Sequence, residues 1–293
     1  MSRLALVCLV LGLSLSACSG ESQGSDAPEL LFTAIPDDNA TELRERLQPV
    51  ADYLARELDV AVRYVPVSNY SASVDAFKNG DVLLAWFGGL TGVQARDAVP
   101  GARAIAQGVV DPTYKTYFIA HVDTGVERAE TFPMALQGTR FTFGSESSTS
   151  GRLMPEHFVR TFSGQSPEEF FGSPNHYSGS HDKTALLVQA GTFETGALSY
   201  KTYDKLVAEG RIDPEVCRIV WVTPEYADYN WTAHPRLDEQ FGPGFTERLQ
   251  AALVGLEAPV LLEALLRPEG LIEASNEDFD SLAELARELG FLR

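Results

Sequence analysis

Residues 144–155 read G-S-E-S-S-T-S-G-R-L-M-P. Just before them, T-R-F-T-F at 139–143 alternates and predicts a strand. Just after them, Leu153, Phe158, Val159 and Phe162 keep a helical spacing. Ser148, Thr149, Ser150 and Gly151 therefore sit where a strand turns into a helix. Such a position gathers unpaired backbone N–H groups and the positive end of a helix dipole. Three hydroxyls add donors, and Gly151 would let a ligand approach the backbone closely. Pro155 fits early in the helix, where a missing N–H costs least. The pattern points to an anion cradle, and the same residues would equally serve as an ordinary helix cap.

The chain has 293 residues, of which 44% are hydrophobic, enough for a sizeable core divided between two lobes. Asp and Glu number 41 against 23 Lys and Arg, a formal charge of −18. That balance argues against nucleic acid and against long-range steering of an anion. Any anion site must then work through local dipoles and a few cations.

Residues 1–18 are expected to be a signal rather than fold: Arg3, an apolar run from Leu4 to Leu13, then L-S-A-C at 15–18. The last four residues resemble a lipoprotein cleavage box that would make Cys18 the lipidated N-terminus, with a plain secretory signal as the other reading. Residues 19–28 are rich in Ser, Gly and Asp and read as a flexible tether. G-E-S-Q-G at 20–24 matches a nucleophile-elbow spacing, but no strand precedes it and no helix follows. With Cys8 lost and Cys18 lipidated, Cys217 has no partner and reads as a small buried hydrophobe in a strand.

Beyond the tether, strand and helix signals alternate. Leu30 to Ile35 reads as a strand, and Leu43, Leu47, Val50, Leu54 and Leu58 mark one helical face. Val60 to Val67 alternates again, and Val74 and Phe77 mark a short helix that Asn79-Gly80 ends. Val82 to Phe87 reads as a strand buried on both faces. A helix over 182–189, a strand over 196–200, a helix to about Glu209 and a largely helical segment from Phe245 complete the pattern. Strands separated by helices imply α/β layering on parallel sheets.

Several segments carry a specific resemblance. They are N-Y-S-A-S-V-D-A-F-K-N-G beginning at 69, L-A-W-F-G-G-L at 84–90, Y-K-T-Y-F-I-A at 114–120, S-S-T-S-G-R-L-M-P at 147–155 and G-S-H-D-K-T-A at 179–185. Together they resemble the phosphonate/phosphite-binding proteins of ABC importers, within the type II periplasmic binding proteins. F-T-A-I-P-D at 32–37, A-W-F-G-G-L-T-G-V-Q-A-R at 85–96 and F-T-F-G-S at 141–145 are similar to a branch labelled selenate-binding. The resemblance implies two α/β lobes with a ligand cleft and two hinge crossovers. Lobe one would hold residues 29–118 and 224–293, and lobe two 119–223, with crossovers near 117–120 and 221–224. It also implies a monomer in the periplasm, lipid-anchored, which hands a small oxyanion to permease and ATPase subunits.

By the same resemblance, Ser148, Thr149, Ser150 and Gly151 form the oxyanion loop, Tyr70 donates from the opposite lobe, and His181 belongs to the site. A histidine that titrates near neutral pH would make anion affinity depend on its charge. Phe87 and Gly88 end a strand at the cleft, where Gly88 and Gly89 would offer N–H groups. Lys115 and Arg152 read as solvated or lobe-bridging charges. Two departures stand out: Gly89 and Gly92 where relatives carry Pro and Tyr, and Ser199 where many carry an aspartate that accepts a ligand proton. Loss of that acceptor favours a fully ionised dianion such as selenate over phosphite, phosphate or an aminophosphonate.

No other chemistry is signalled strongly. His176 and His181 lack further ligands for zinc, Glu156-His157 lacks an H-E-x-x-H partner, and no phosphate-binding G-x-x-x-x-G-K loop occurs. No cofactor is expected. A ligand sensor would share the same site, and an enzyme would need a nucleophile paired with a base, which no segment displays.

Overall fold

The computed structural model describes residues 28–292, so Cys18 and nearly all of the tether lie outside the described residues. The chain opens with β1 (Glu29–Ala34), α1 (Ala40–Leu58), β2 (Ala61–Tyr64), α2 (Tyr70–Asn79), β3 (Leu84–Phe87), α3 (Gly89–Ala98) and β4 (Arg103–Gly108). Local chemistry sets the helix ends. Asn39 caps α1 by accepting the Thr41 N–H at 2.8 Å, and Asn69 caps α2 by accepting that of Ala72. Gly80 ends α2 at φ 74°, a left-handed turn that glycine adopts without strain. Leu43, Leu47, Val50, Leu54 and Leu58 all face the core, as their spacing predicts.

A second sheet follows: β5 (Thr116–His121), β6 (Phe141–Phe143), α4 (Met154–Ser163), α5 (Pro167–Phe171), β7 (His176–Tyr177), α6 (His181–Gln189), β8 (Thr195–Ser199), α7 (Tyr200–Ala208) and β9 (Cys217–Val222). Cys217 is fully buried in β9, and burial pushes its thiol up to about 12. The chain then returns with β10 (Asn230–Ala233), α8 (Leu237–Phe241), α9 (Phe245–Val254), α10 (Pro259–Ala264), β11 (Leu271–Glu273) and α11 (Asp280–Glu288). Thus the segment from Phe245 is largely helical but also supplies a strand.

The two sheets run β11-β4-β10-β3-β1-β2 and β7-β6-β8-β5-β9. They are mixed rather than wholly parallel. Strands β2 and β3 lie parallel to β1, but β10 runs against both of its neighbours, β3 and β4. The cause is the route of the chain. Residues 109–115 leave the first sheet and 223–229 return to it, and these segments pair antiparallel through Tyr114 and Tyr226 at 2.9 and 3.1 Å. A strand that enters from this return path is reversed. Residues 117–120 lie inside β5, and Trp221 and Val222 end β9 beside the paired segments.

Candidate functional site

Residues 149–153 form one turn of π-helix that leads into α4. Such a turn frequently marks a functional position. Ser148 accepts the Gly151 N–H at 3.0 Å, so it does serve as the cap. Its own O–H is left to donate, because an accepting hydroxyl keeps its proton. Thr149 reaches the other lobe, where its Oγ1 accepts the Leu90 N–H at 2.9 Å. Ser150 places Oγ 3.4 Å from His181 Nε2 and gives its carbonyl to Thr116. What crowds Gly151 is the chain itself: an added Cβ would lie 3.1 Å from Gly144 Cα and 3.2 Å from His181 Cε1.

His181 begins α6 and is 1% exposed. Burial pushes its imidazolium down to about 4, so the ring is neutral at pH 7. Its Nδ1 accepts the Ser199 N–H at 3.4 Å, which leaves the proton on Nε2 facing Ser150. Without a ligand His181 is therefore a neutral donor, and its charge does not change near pH 7 as the sequence had suggested. Ser199 caps α7, and its Oγ lies 2.5 Å from the Tyr114 hydroxyl.

From the opposite lobe, Tyr70 at the start of α2 is 1% exposed, and its hydroxyl faces Ser148 without a hydrogen bond of ordinary geometry. Phe87 turns its ring into the core against Phe77, at 5.6 Å, and so holds the strand end that presents Gly88. A Cβ on Gly88 would come 3.3 Å from Asp228 Oδ1 and 3.4 Å from Thr149 Oγ1. The Gly89 N–H is already taken by Asp228 Oδ1 at 2.7 Å. Glycine is needed at 89 and 92 because α3 packs so closely: a Cβ would meet Leu282 at 2.5 Å and the Asn230 side chain at 2.7 Å respectively. Lys115 pairs with Glu225 at 3.1 Å, and Arg152 pairs with Glu156 and stacks on Phe143. Both cations are engaged outside the cluster.

Two carboxyls that the sequence reading missed complete the cluster. Asp228 is 1% exposed and lies beside Gly88, Gly89 and Thr149, with its Oδ2 unpartnered. Burial pushes it up to about 7, although the Gly89 N–H and the Thr149 hydroxyl both favour its ionised form. Asp37 accepts the Tyr229 hydroxyl at 2.7 Å, its carbonyl accepts the His181 N–H at 3.2 Å, and burial raises its proton affinity too. The signal was present in Y-A-D-Y-N-W at 226–231, an acid set among aromatics on the return path. Along the same seam, a groove of about 710 Å³ runs past Asn69, Ser147 and Ser180, the sequence neighbours of Tyr70, Ser148 and His181. The arrangement is a buried cluster of neutral donors with two buried acids, suited to a small anion that brings or takes a proton.

Comparison with known proteins agrees with this architecture. A family profile described as "ABC transporter, phosphonate, periplasmic substrate-binding protein" matches residues 32–279. The probable ABC transporter phosphite-binding protein PhnD1 of Prochlorococcus marinus (strain MIT 9301) is 36% identical over 275 residues, covering 92% of each chain. A solved structure of PhnD1 in complex with methylphosphonate superposes with a TM-score of 0.84, over 89% of this chain and 98% of that one. The phosphate-import protein PhnD of Mycolicibacterium smegmatis is 26% identical over 85% of this chain and 80% of its own. The protein therefore belongs to the phosphonate-type periplasmic substrate-binding proteins of ABC transporters, built on the type II two-lobed fold.

Proposed function

We propose that the chain captures a small tetrahedral phosphorus oxyanion, of phosphite or methylphosphonate size, for an ABC importer. The observation that carries this reading is the unpartnered, proton-hungry carboxyl of Asp228 beside the Ser148–Gly151 loop. The selenate preference rested on Ser199 removing the site's acid, and Asp228 supplies one from the return segment between β9 and β10. A phosphorus oxyacid whose second ionisation lies near about pH 6 can share one proton with such a group. Selenate and sulfate carry none to share. The ligands of PhnD1 support the same chemistry, at 36% identity. A thermal-shift panel at pH 7 and fixed salt tests it, since a ligand at 100 times its Kd stabilises by about 2.7 kcal/mol. Phosphite or methylphosphonate should raise the midpoint most; a larger rise with selenate would overturn the reading.

Closure of the lobes has an ionic component. Lys205 Nζ on α7 lies 2.7 Å from Asp38 Oδ2 and 2.8 Å from Glu42 Oε2 across the cleft, and Arg211 meets Glu42 at 3.0 Å. Lys205→Met should weaken ligand binding by about 1 kcal/mol, or roughly fivefold, because these contacts hold the two lobes in the geometry that encloses the site. The loss should shrink in high salt, where the native pair is itself screened. An affinity unchanged at low ionic strength would count against a closure role.

We further propose that Cys18 carries the lipid that tethers the protein to the membrane. Cys18→Ser should move the mature protein from the membrane fraction to the soluble one, since one signal is then missing. A variant that stays membrane-bound after a salt wash would argue against the anchor.

A further inference from the structure

Behind the site lies a buried ion pair that touches no candidate ligand position. Arg267 is 1% exposed and Asp111 fully buried; the guanidinium Nε lies 2.9 and 2.8 Å from the two carboxylate oxygens. Arg267 Nη1 also donates to the Leu265 and Leu266 carbonyls at 3.2 and 3.0 Å. To present these, Leu266 adopts φ 55°, a left-handed conformation that a branched aliphatic residue rarely takes. Strain of this kind persists where the surroundings demand it. The pair also forces glycine at 108: a Cβ there would overlap Arg267 Cδ and come 2.7 Å from both Arg267 Nε and Asp111 Oδ2.

Two routes lead from this pair to the cleft. Asp111 sits on the outgoing connection, and its carbonyl accepts the N–H of Asp228 on the return connection at 3.1 Å. Meanwhile the guanidinium carbon lies 4.7 Å from the Tyr229 ring centroid and 5.4 Å from that of Tyr114. Those two rings aim their hydroxyls at Asp37 and Ser199. A planar cation can hold a carboxylate and stack on rings together, which a lysine cannot.

We infer that Arg267 is a positioning residue for the anion site: through Asp111 it sets Asp228, and through the stacked rings of Tyr114 and Tyr229 it sets their hydroxyls, so it governs which anion is selected. The inference rests on the ligand reading above. A purely structural pair would change the affinity for every anion alike when disturbed, whereas a positioning pair changes their ratio.

The test uses calorimetry with phosphite and selenate on the wild type, Gly108→Ala, Arg267→Lys and the double variant Asp111→Asn/Arg267→Met. Gly108→Ala keeps both charges and displaces the guanidinium; the double variant removes both and leaves no lone buried charge. The ratio of phosphite to selenate affinity should shift at least tenfold in Gly108→Ala and in the double variant, with native circular dichroism retained. Arg267→Lys, which restores the charge without the stacking, should fall between. If the double variant does not fold, Gly108→Ala and Arg267→Lys carry the comparison. Folded variants whose two affinities change by one common factor, or not at all, would overturn the inference. A wild type that prefers selenate would refute the phosphite reading alone, because the ratio is read whichever anion binds more tightly.

Discussion

Asp228→Asn should exchange the ligand preference of the protein. In the native site Oδ1 must accept the Gly89 N–H at 2.7 Å, which leaves Oδ2 free to face a ligand. An asparagine would keep its carbonyl on Gly89 and so be forced to present its amide N–H₂ instead. A ligand O–H would then meet a donor, and the unmet pair costs about 1–3 kcal/mol, or roughly five- to 150-fold in phosphite affinity. Selenate and sulfate, with acceptors only, should bind as well as before or better. The variant should also change the response to pH. Asp228 ionises at about 7 when folded and at its ordinary lower value when unfolded, so this one carboxyl takes stability from the free protein as pH rises from about 4 through 7. Thermal midpoints of Asp228→Asn should therefore gain on those of the wild type as pH rises over that range.

Tyr70→Phe should act in opposite directions on the free and bound protein. The hydroxyl is buried without a hydrogen bond of ordinary geometry, so its removal relieves a desolvation cost and should raise the ligand-free midpoint by a few degrees. In the complex proposed above the same hydroxyl would donate to a charged oxygen, worth about 1.5–3 kcal/mol, so its loss should weaken binding roughly ten- to 150-fold. Stability alone would move the two measurements together. A midpoint that drops while affinity holds would place Tyr70 outside the site.

How far the sequence disclosed this site depends on the range of the interactions involved. The loop from Ser148 to Gly151 was legible because its strand, turn and helix signals are contiguous. Its capping is observed and leaves room for the proposed donor role, since Ser148 accepts one backbone proton and keeps its own. Tyr70, His181 and Ser199 came from the family resemblance, but their states did not. That His181 is neutral follows from burial contributed by surrounding segments, and a sequence carries no measure of it. Asp228 was hidden more deeply, because the group that orients it, Gly89, lies 139 residues away. The mixed sheets were missed for a related reason: hydrophobic spacing gives the period of a strand and not its direction. Reversal of β10 is decided by the paired return path, a feature of the whole chain.

The central claim is that one proton is held between Asp228 and an oxygen of the ligand. Above about pH 7 both the free carboxyl and a free phosphorus oxyanion have lost that proton, so binding must take one up. Calorimetric titration of phosphite at pH 8.5, repeated in two buffers of different ionisation enthalpy, counts it directly. The account predicts uptake of about one proton per phosphite bound by the wild type and close to none by Asp228→Asn. Binding by the wild type with no proton uptake at that pH would contradict it.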